Sequence, residues 1–141
     1  MSEVLAQLEK KGSGDMSETV LWTNPTPSST FGDSTITLSD DINNYKYLKI
    51  VWKKSTSNAE YITTIVSVDE FKTSTNAGAG SARYAFSFCS IYYKGTGSTN
   101  SGIRIFYYVT DTTIKMSQAL GFNGSNVDNS VDIPYQVIGL K

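Results

Sequence analysis

Residues 82–110 read ARYAFSFCSIYYKGTGSTNSGIRIFYYVT, two runs dense in aromatic and β-branched residues separated by the Gly, Ser, Thr and Asn of a turn. Composition of this kind on both sides of a turn is the signature of a long antiparallel β-hairpin. Side chains along a strand alternate between its faces, so Ile103, Ile105, Tyr107 and Val109 share one side and Arg104, Phe106 and Tyr108 the other. Aromatic residues occur on both sides, so both should be covered. One face is expected to fill a core. The face carrying Arg104, Phe106 and Tyr108 is expected to meet a neighbouring subunit or a ligand.

The remaining chain supplies partners for such a hairpin. TVLWT (19–23) reads as a strand stopped by Asn24-Pro25-Thr26-Pro27, whose prolines remove donors and suit an edge. In STITLS, Ile36 and Leu38 point one way and Thr35 and Thr37 the other. YKYLKIVWKK (45–54) alternates cleanly, with Leu48, Ile50 and Trp52 inward and Tyr47, Lys49, Val51 and Lys53 outward. Residues 59–68 form a further strand with Ile62, Thr64, Val66 and Val68 on one side, and residues 71–82 read as a loop. A short strand carries Ile114 and Met116 on one face, and DIPYQVIGLK (132–141) is the last strand, given edge character by Pro134. About eight short strands at this spacing predict an all-β fold, an antiparallel sandwich or jelly-roll-like domain over residues 16–141.

Residues 1–15 stand apart. Ser2 can cap a short helix that carries Glu3 in its first turn, Lys10 and Lys11 in its last and Gly12 as a stop, with Val4, Leu5 and Leu8 on one narrow apolar stripe. A helix this short is marginal alone, so it docks on the domain, self-associates, lies in a partner's groove or frays. Gly12-Ser13-Gly14-Asp15 reads as a linker, which favours a docking arm.

Composition narrows the chemistry. The chain of 141 residues has 18% charged residues and a net charge of −1, so no global field attracts nucleic acid or an anionic membrane. It contains no histidine, which excludes Ser-His-Asp and Cys-His catalysis and removes the commonest metal ligand. Its single cysteine, Cys89, permits no internal disulfide and reads as a small strand thiol. The first residues carry charges where a signal peptide needs an apolar run, so synthesis in a cytoplasm is expected. Asp40-Asp41 and Asp69-Glu70 sit beside turns, where carboxylates bind local amides, and sequence adjacency alone does not make a catalytic pair. Asn123, Ser125, Asn126 and Asp128 superficially resemble a Ca²⁺ loop but lack the glycine position and terminal Glu of an EF-hand, so they read as a polar turn, and GTGSTNSG (95–102) lacks the ending of a phosphate loop. No catalytic residue, cofactor or metal is therefore expected. Trp22, Trp52, Tyr92, Tyr93, Tyr107 and Tyr108 fit a core or subunit interface better than a sugar platform, with Tyr93 and Tyr108 the pair to test for binding.

The pattern LWTNP-x-P-x(3)-F (Leu21 to Phe31), a Leu-Ser-Asp turn before a Tyr-rich strand, a Ser-Phe-Cys strand and the ending Tyr135-Gln136-Val137-Ile138-Gly139-Leu140-Lys141 together resemble small tail-fibre and receptor-binding domains of tailed bacteriophages. The likeness spans residues 18–141. It implies a trimeric or higher, non-enzymatic β-sandwich of the virion, which is then expected to touch other virion proteins and either contact a host-surface glycan or simply cover the particle. The short N-terminal arm departs from a long fibre and brings in a capsid-decoration or head-fibre role, with Val4, Leu5 and Leu8 as virion-docking contacts. A free carbohydrate-binding module is the alternative.

Overall fold

The computed structural model describes residues 17–74, 88–93, 101–119 and 129–141. In chain order these form β1 (Glu18–Thr23), β2 (Ser34–Thr37), a 3-10 turn (Ile42–Asn44), β3 (Tyr47–Ser55), β4 (Tyr61–Ser67), α1 (Val68–Lys72), β5 (Phe88–Tyr93), β6 (Ser101–Thr110), β7 (Thr113–Met116) and β8 (Val131–Leu140). All strand pairs are antiparallel and make two four-stranded sheets, ordered β1-β8-β3-β4 and β2-β7-β6-β5. The sheets pack face to face as a sandwich, the architecture the strand pattern predicts. Residues 1–15, with Val4, Leu5 and Leu8, lie outside the described residues, as do residues 95–100 and 123–128.

The inner faces follow the period-two pattern. Leu48, Ile50 and Trp52 of β3, Ile36 of β2, and Ile114 and Met116 of β7 are buried, and Leu38 just after β2 joins them. Each such side chain contributes roughly 1.5–3 kcal/mol on leaving water. Between the sheets, the Trp52 ring lies 5.7 Å from Phe106 and the Phe106 ring stacks on Phe71 at 5.9 Å. The indole N–H of Trp52 donates to Thr64 Oγ1 at 3.2 Å, so the buried donor is satisfied.

Three features differ from the expectation. First, β8 is no edge strand: it lies between β1 and β3. Pro134 is tolerated there because the ladder is broken at that point, Val51 pairing with Gln136 and Trp52 with Pro134, which leaves Tyr135 as the extra residue of a bulge. Asn24 closes the gap from β1, its backbone N–H donating to Tyr135 O and its side-chain amide to Pro134 O, both at 2.8 Å. Second, residues 68–72 are helical where a strand end and a loop were expected. Ser67 Oγ accepts the Glu70 N–H at 3.1 Å, Asp69 and Glu70 occupy the first turn and Lys72 the last. Ser67-Val68-Asp69-Glu70 is a capping-box sequence, and the helix it starts buries Phe71 completely. Third, Lys53 points outward but is covered, its ammonium donating to Pro27 O, Ser28 Oγ and Thr56 O.

Candidate functional site

The face of β6 reserved for a neighbour or ligand turns out to be the inner face. Register pairs Phe106 with Met116 and Tyr108 with Ile114, and paired residues share a face. Met116 and Ile114 are fully buried, so Phe106, also fully buried, faces the core with them. Tyr108 is half-buried, its ring edge-on to Phe71 at 6.3 Å, its N–H donating to Ser74 Oγ and its hydroxyl to Asp111 Oδ1. Tyr93 pairs with Ser101 at one end of the β5–β6 ladder, and its side chain lies outside the described residues.

Arg104, the remaining member of that set, is fully buried. Its guanidinium donates to four main-chain carbonyls, Asp132 O at 2.7 Å, Ser117 O at 2.6 Å, Phe31 O at 2.9 Å and Val131 O at 3.1 Å, and it stacks over the Phe31 ring at 5.3 Å. Asp132 enters β8 in the left-handed region at φ 54°, a conformation that Asp tolerates better than most residues. Burial pushes the Arg104 pKa down to about 10, against the opposing pull of the Asp132 and Asp33 carboxylates, so the group is charged at neutral pH. It offers nothing to an outside ligand, because it is fully buried and four of its five N–H donors bind the protein's own backbone. A sequence shows an arginine in mid-strand; it does not show carbonyls arriving from three other segments.

Trp52 is likewise a core residue, and Trp22 is half-buried edge-on to Phe31, 6.2 Å between ring centres. The adjacent carboxylates are local fixtures. Asp40 accepts from the Tyr45 hydroxyl (2.9 Å), the Asn44 amide (3.0 Å) and the Asp41 N–H (2.8 Å), and these bonds, led by Tyr45, hold its pKa below the ordinary value. Asp41 caps the 3-10 turn through the Asn43 N–H. Asp111 is held low first by the Tyr108 hydroxyl, with Lys72 3.6 Å away. Tyr108 is shifted the other way, chiefly by the same bond. Among the described residues no three His, Cys, Asp or Glu side chains converge as metal ligands do, and no helix is long and apolar enough to cross a membrane.

What the domain presents outward is the second face of the β1-β8-β3-β4 sheet. Register sets Val20, Ile138, Lys49 and Ile65 in one row across all four strands, flanked by Glu18, Leu140, Tyr47 and Ser67 on one side and Thr23, Gln136, Val51 and Thr63 on the other. Val20, Tyr47, Tyr61 and Ile65 are about half exposed or more, and Tyr61 packs against Tyr135 with ring centres 4.9 Å apart. Lys49 bridges the strands through an ion pair with Glu18 at 3.1 Å. At one end of this face an open groove of about 350 Å³ is lined by Tyr45, Lys46, Tyr47, Ser67, Val68 and Asp69. An aromatic ring, an ammonium, a hydroxyl and a carboxylate around a shallow groove can hold a polar ligand by stacking and hydrogen bonding. Sequence alternation already assigned Tyr47, Lys49 and Val51 to this face, but Tyr61 and Ile65 joined it only once their strand had a partner.

No protein-family model matches this sequence, and no curated protein matches it. The class that fold and site define is an antiparallel β-sandwich whose outward sheet face sets exposed Val20, Tyr47, Tyr61 and Ile65 among charged and polar side chains.

Proposed function

We propose that the chain is a non-enzymatic structural protein of a bacteriophage virion, of the tail-fibre and receptor-binding or the capsid-decoration and head-fibre type, held to its particle by the N-terminal arm. One observation carries the reading: Arg104, Asp40 and Asp111 are spent on holding the fold, while one sheet face presents Val20, Tyr47, Tyr61 and Ile65 to the outside. Arg104 binds carbonyls, and Asp40 and Asp111 bind tyrosine hydroxyls. Such a surface suits contact with other copies and other virion proteins rather than turnover of a substrate. The residues behind the phage likeness are joints of the sandwich: Asn24 ties β1 to the β8 bulge, and Gly139 lies against the Tyr45 ring. In this reading the protein is made in the host cytoplasm and resides in the virion as a homo-oligomer.

The test is particle incorporation. The full chain should co-purify with intact particles, and deletion of residues 2–11 should abolish that while leaving the sandwich folded. A deleted chain that still enters particles would overturn the anchoring role of Val4, Leu5 and Leu8, and a full chain absent from particles would overturn the reading as a whole. A free carbohydrate-binding module is the second reading, favoured by the Tyr61–Tyr135 pair and the groove at Tyr47 on an exposed face. Glycan-array binding that Tyr47→Ala and Tyr61→Ala both abolish would favour it, and a silent array would count against it.

A further inference from the structure

The backbone groups of β4 divide by parity. Lys54 N–H donates to Glu60 O at one end of the β3–β4 ladder and Val68 N–H to Lys46 O at the other, each at 2.9 Å, and the register between them is unbroken. Hydrogen-bonded and non-bonded pairs alternate along an antiparallel ladder. Ile62, Thr64 and Val66 therefore turn their N–H and C=O groups to β3, and Tyr61, Thr63, Ile65 and Ser67 turn theirs away from the sheet. Among the described residues no strand lies beyond β4 in the sheet order, and none of those four N–H groups meets an acceptor.

Open edges ordinarily carry a device against pairing. The β1 edge is bulged at Leu21, between the Val20–Ile138 and Trp22–Val137 pairs, β2 is four residues long, and β5, the edge of the other sheet, is six and unbulged. β4 has seven residues, Tyr61-Ile62-Thr63-Thr64-Ile65-Val66-Ser67, with no proline, glycine, charge or bulge. Its Ile65 is 59% exposed.

We propose that β4 pairs antiparallel with β4 of a second copy about a two-fold axis at Thr64. This register uses the whole edge. Tyr61 stands opposite the second copy's Ser67 and Thr63 opposite its Ile65, and the same pairs recur beyond the axis. All four outward-directed residues thus fall on hydrogen-bonded pairs. Faces match as well: the inward side chains Ile62 and Val66 meet each other, and a slip by one residue would set inward side chains against outward ones. No charged residue lies within the paired segment to repel its copy, and Glu60, just before it, is engaged by Lys54. Two sheets become one continuous sheet, closed by symmetry. The inference stands apart from the virion reading, since solution mass and particle incorporation can fail separately.

Sedimentation equilibrium of the full chain should give twice the 15.4 kDa chain mass. Thr63→Pro removes one outward N–H without touching the β3 ladder and should weaken self-association at least about tenfold, because that donor lies in the middle of the paired edge. In case proline disturbs the strand, a second route uses Cys89→Ser with Thr63→Cys and Ile65→Cys together. Mild oxidation should yield a covalent dimer from the double-cysteine variant and not from either single one, because only the 63–65 contact falls within disulfide reach. A monomer at every concentration, a trimer, or a dimer that neither survives as a cross-link nor responds to Thr63→Pro would overturn the proposal.

Discussion

The two ends of the sandwich are pinned by opposite strategies. At the end where β6 and β8 begin, one buried cation holds four segments: Arg104 of β6 binds Phe31 ahead of β2, Ser117 after β7, and Val131 and Asp132 of β8. At the end where β6 and β8 finish, two tyrosine–carboxylate bonds do the tying near the surface, Tyr45 to Asp40 and Tyr108 to Asp111, and the 3-10 turn leans on them through the Ile42 N–H to Asp111 O bond. A buried charge is unforgiving because each carbonyl it leaves behind stays desolvated. The tyrosine–carboxylate bonds are part-buried, with carboxylates that water can reach, so water can replace them. One end should therefore fail as a unit and the other should loosen by degrees.

The sharpest way to break that contrast is Arg104→Met. It strands three buried carbonyls and the part-buried one of Phe31, and the expected loss is about 3–5 kcal/mol, read by urea denaturation. Arg104→Lys should recover only part of it, since a single ammonium cannot reproduce the planar fork. A methionine variant as stable as the parent would show that water fills the site and that the two ends do not differ.

Gly139→Ala comes next and probes the other end where a glycine lies against the Tyr45 ring. A Cβ there would lie 2.5 Å from the Tyr45 ring, whose hydroxyl is held by Asp40, so the ring cannot swing away freely. The expected cost is about 1–3 kcal/mol in the same assay, as for overpacking elsewhere. In a Tyr45→Ala background, itself destabilised, the same glycine substitution should cost much less, since the ring it meets is gone. Ser67→Ala follows, removing the cap of α1 at a cost of about 1 kcal/mol. Faster amide exchange in residues 68–72, with the β3–β4 ladder unchanged, would localise that effect.

The smallest effect is the acid response. Asp40 and Asp111 have lower pKa values folded than unfolded, chiefly through the Tyr45 and Tyr108 hydroxyls. Such groups stabilise the fold above the ordinary carboxylate value of 3.8 and lose that contribution as pH falls below it. Melting temperature should decline through this acid window, and less steeply in Tyr45→Phe and Tyr108→Phe. Arg104 stays protonated throughout and should add no slope there. A profile that both phenylalanine variants leave unchanged would place the acid sensitivity elsewhere.

Much of the sandwich was legible before any tertiary contact was known. The alternation in Tyr47–Ser55 placed Leu48, Ile50 and Trp52 inside, and Ile36, Ile114 and Met116 followed the same rule, because burial of a sheet face depends on the two-residue period that the chain itself carries. The absence of histidine removed whole classes of chemistry for as direct a reason. Less legible were elements whose cues are weak beside the hydrophobic pattern. Ser67-Val68-Asp69-Glu70 announces α1, but Val66 and Val68 continue the strand alternation and mask it. Pro134 reads as an edge residue because the bulge that accommodates it exists only when β3 lies alongside.

Which face of β6 would be the core was not decidable locally, since Ile105 and Phe106 are both buried and both sides of that strand are aromatic. Pairing with β7 settled it by placing Phe106 beside Met116. Arg104 is the extreme case. Its own position dictates only a cation in a strand, whereas its burial depends on carbonyls contributed by residues 13 to 73 positions away. The sequence by itself determined the strands, most of their inward residues and the lack of histidine chemistry, all properties of short stretches of chain. Tertiary structure decided strand order, the turned face of β6, the open edge at β4 and the fate of Arg104, because each of these depends on which distant segments supply or withhold a hydrogen-bond partner.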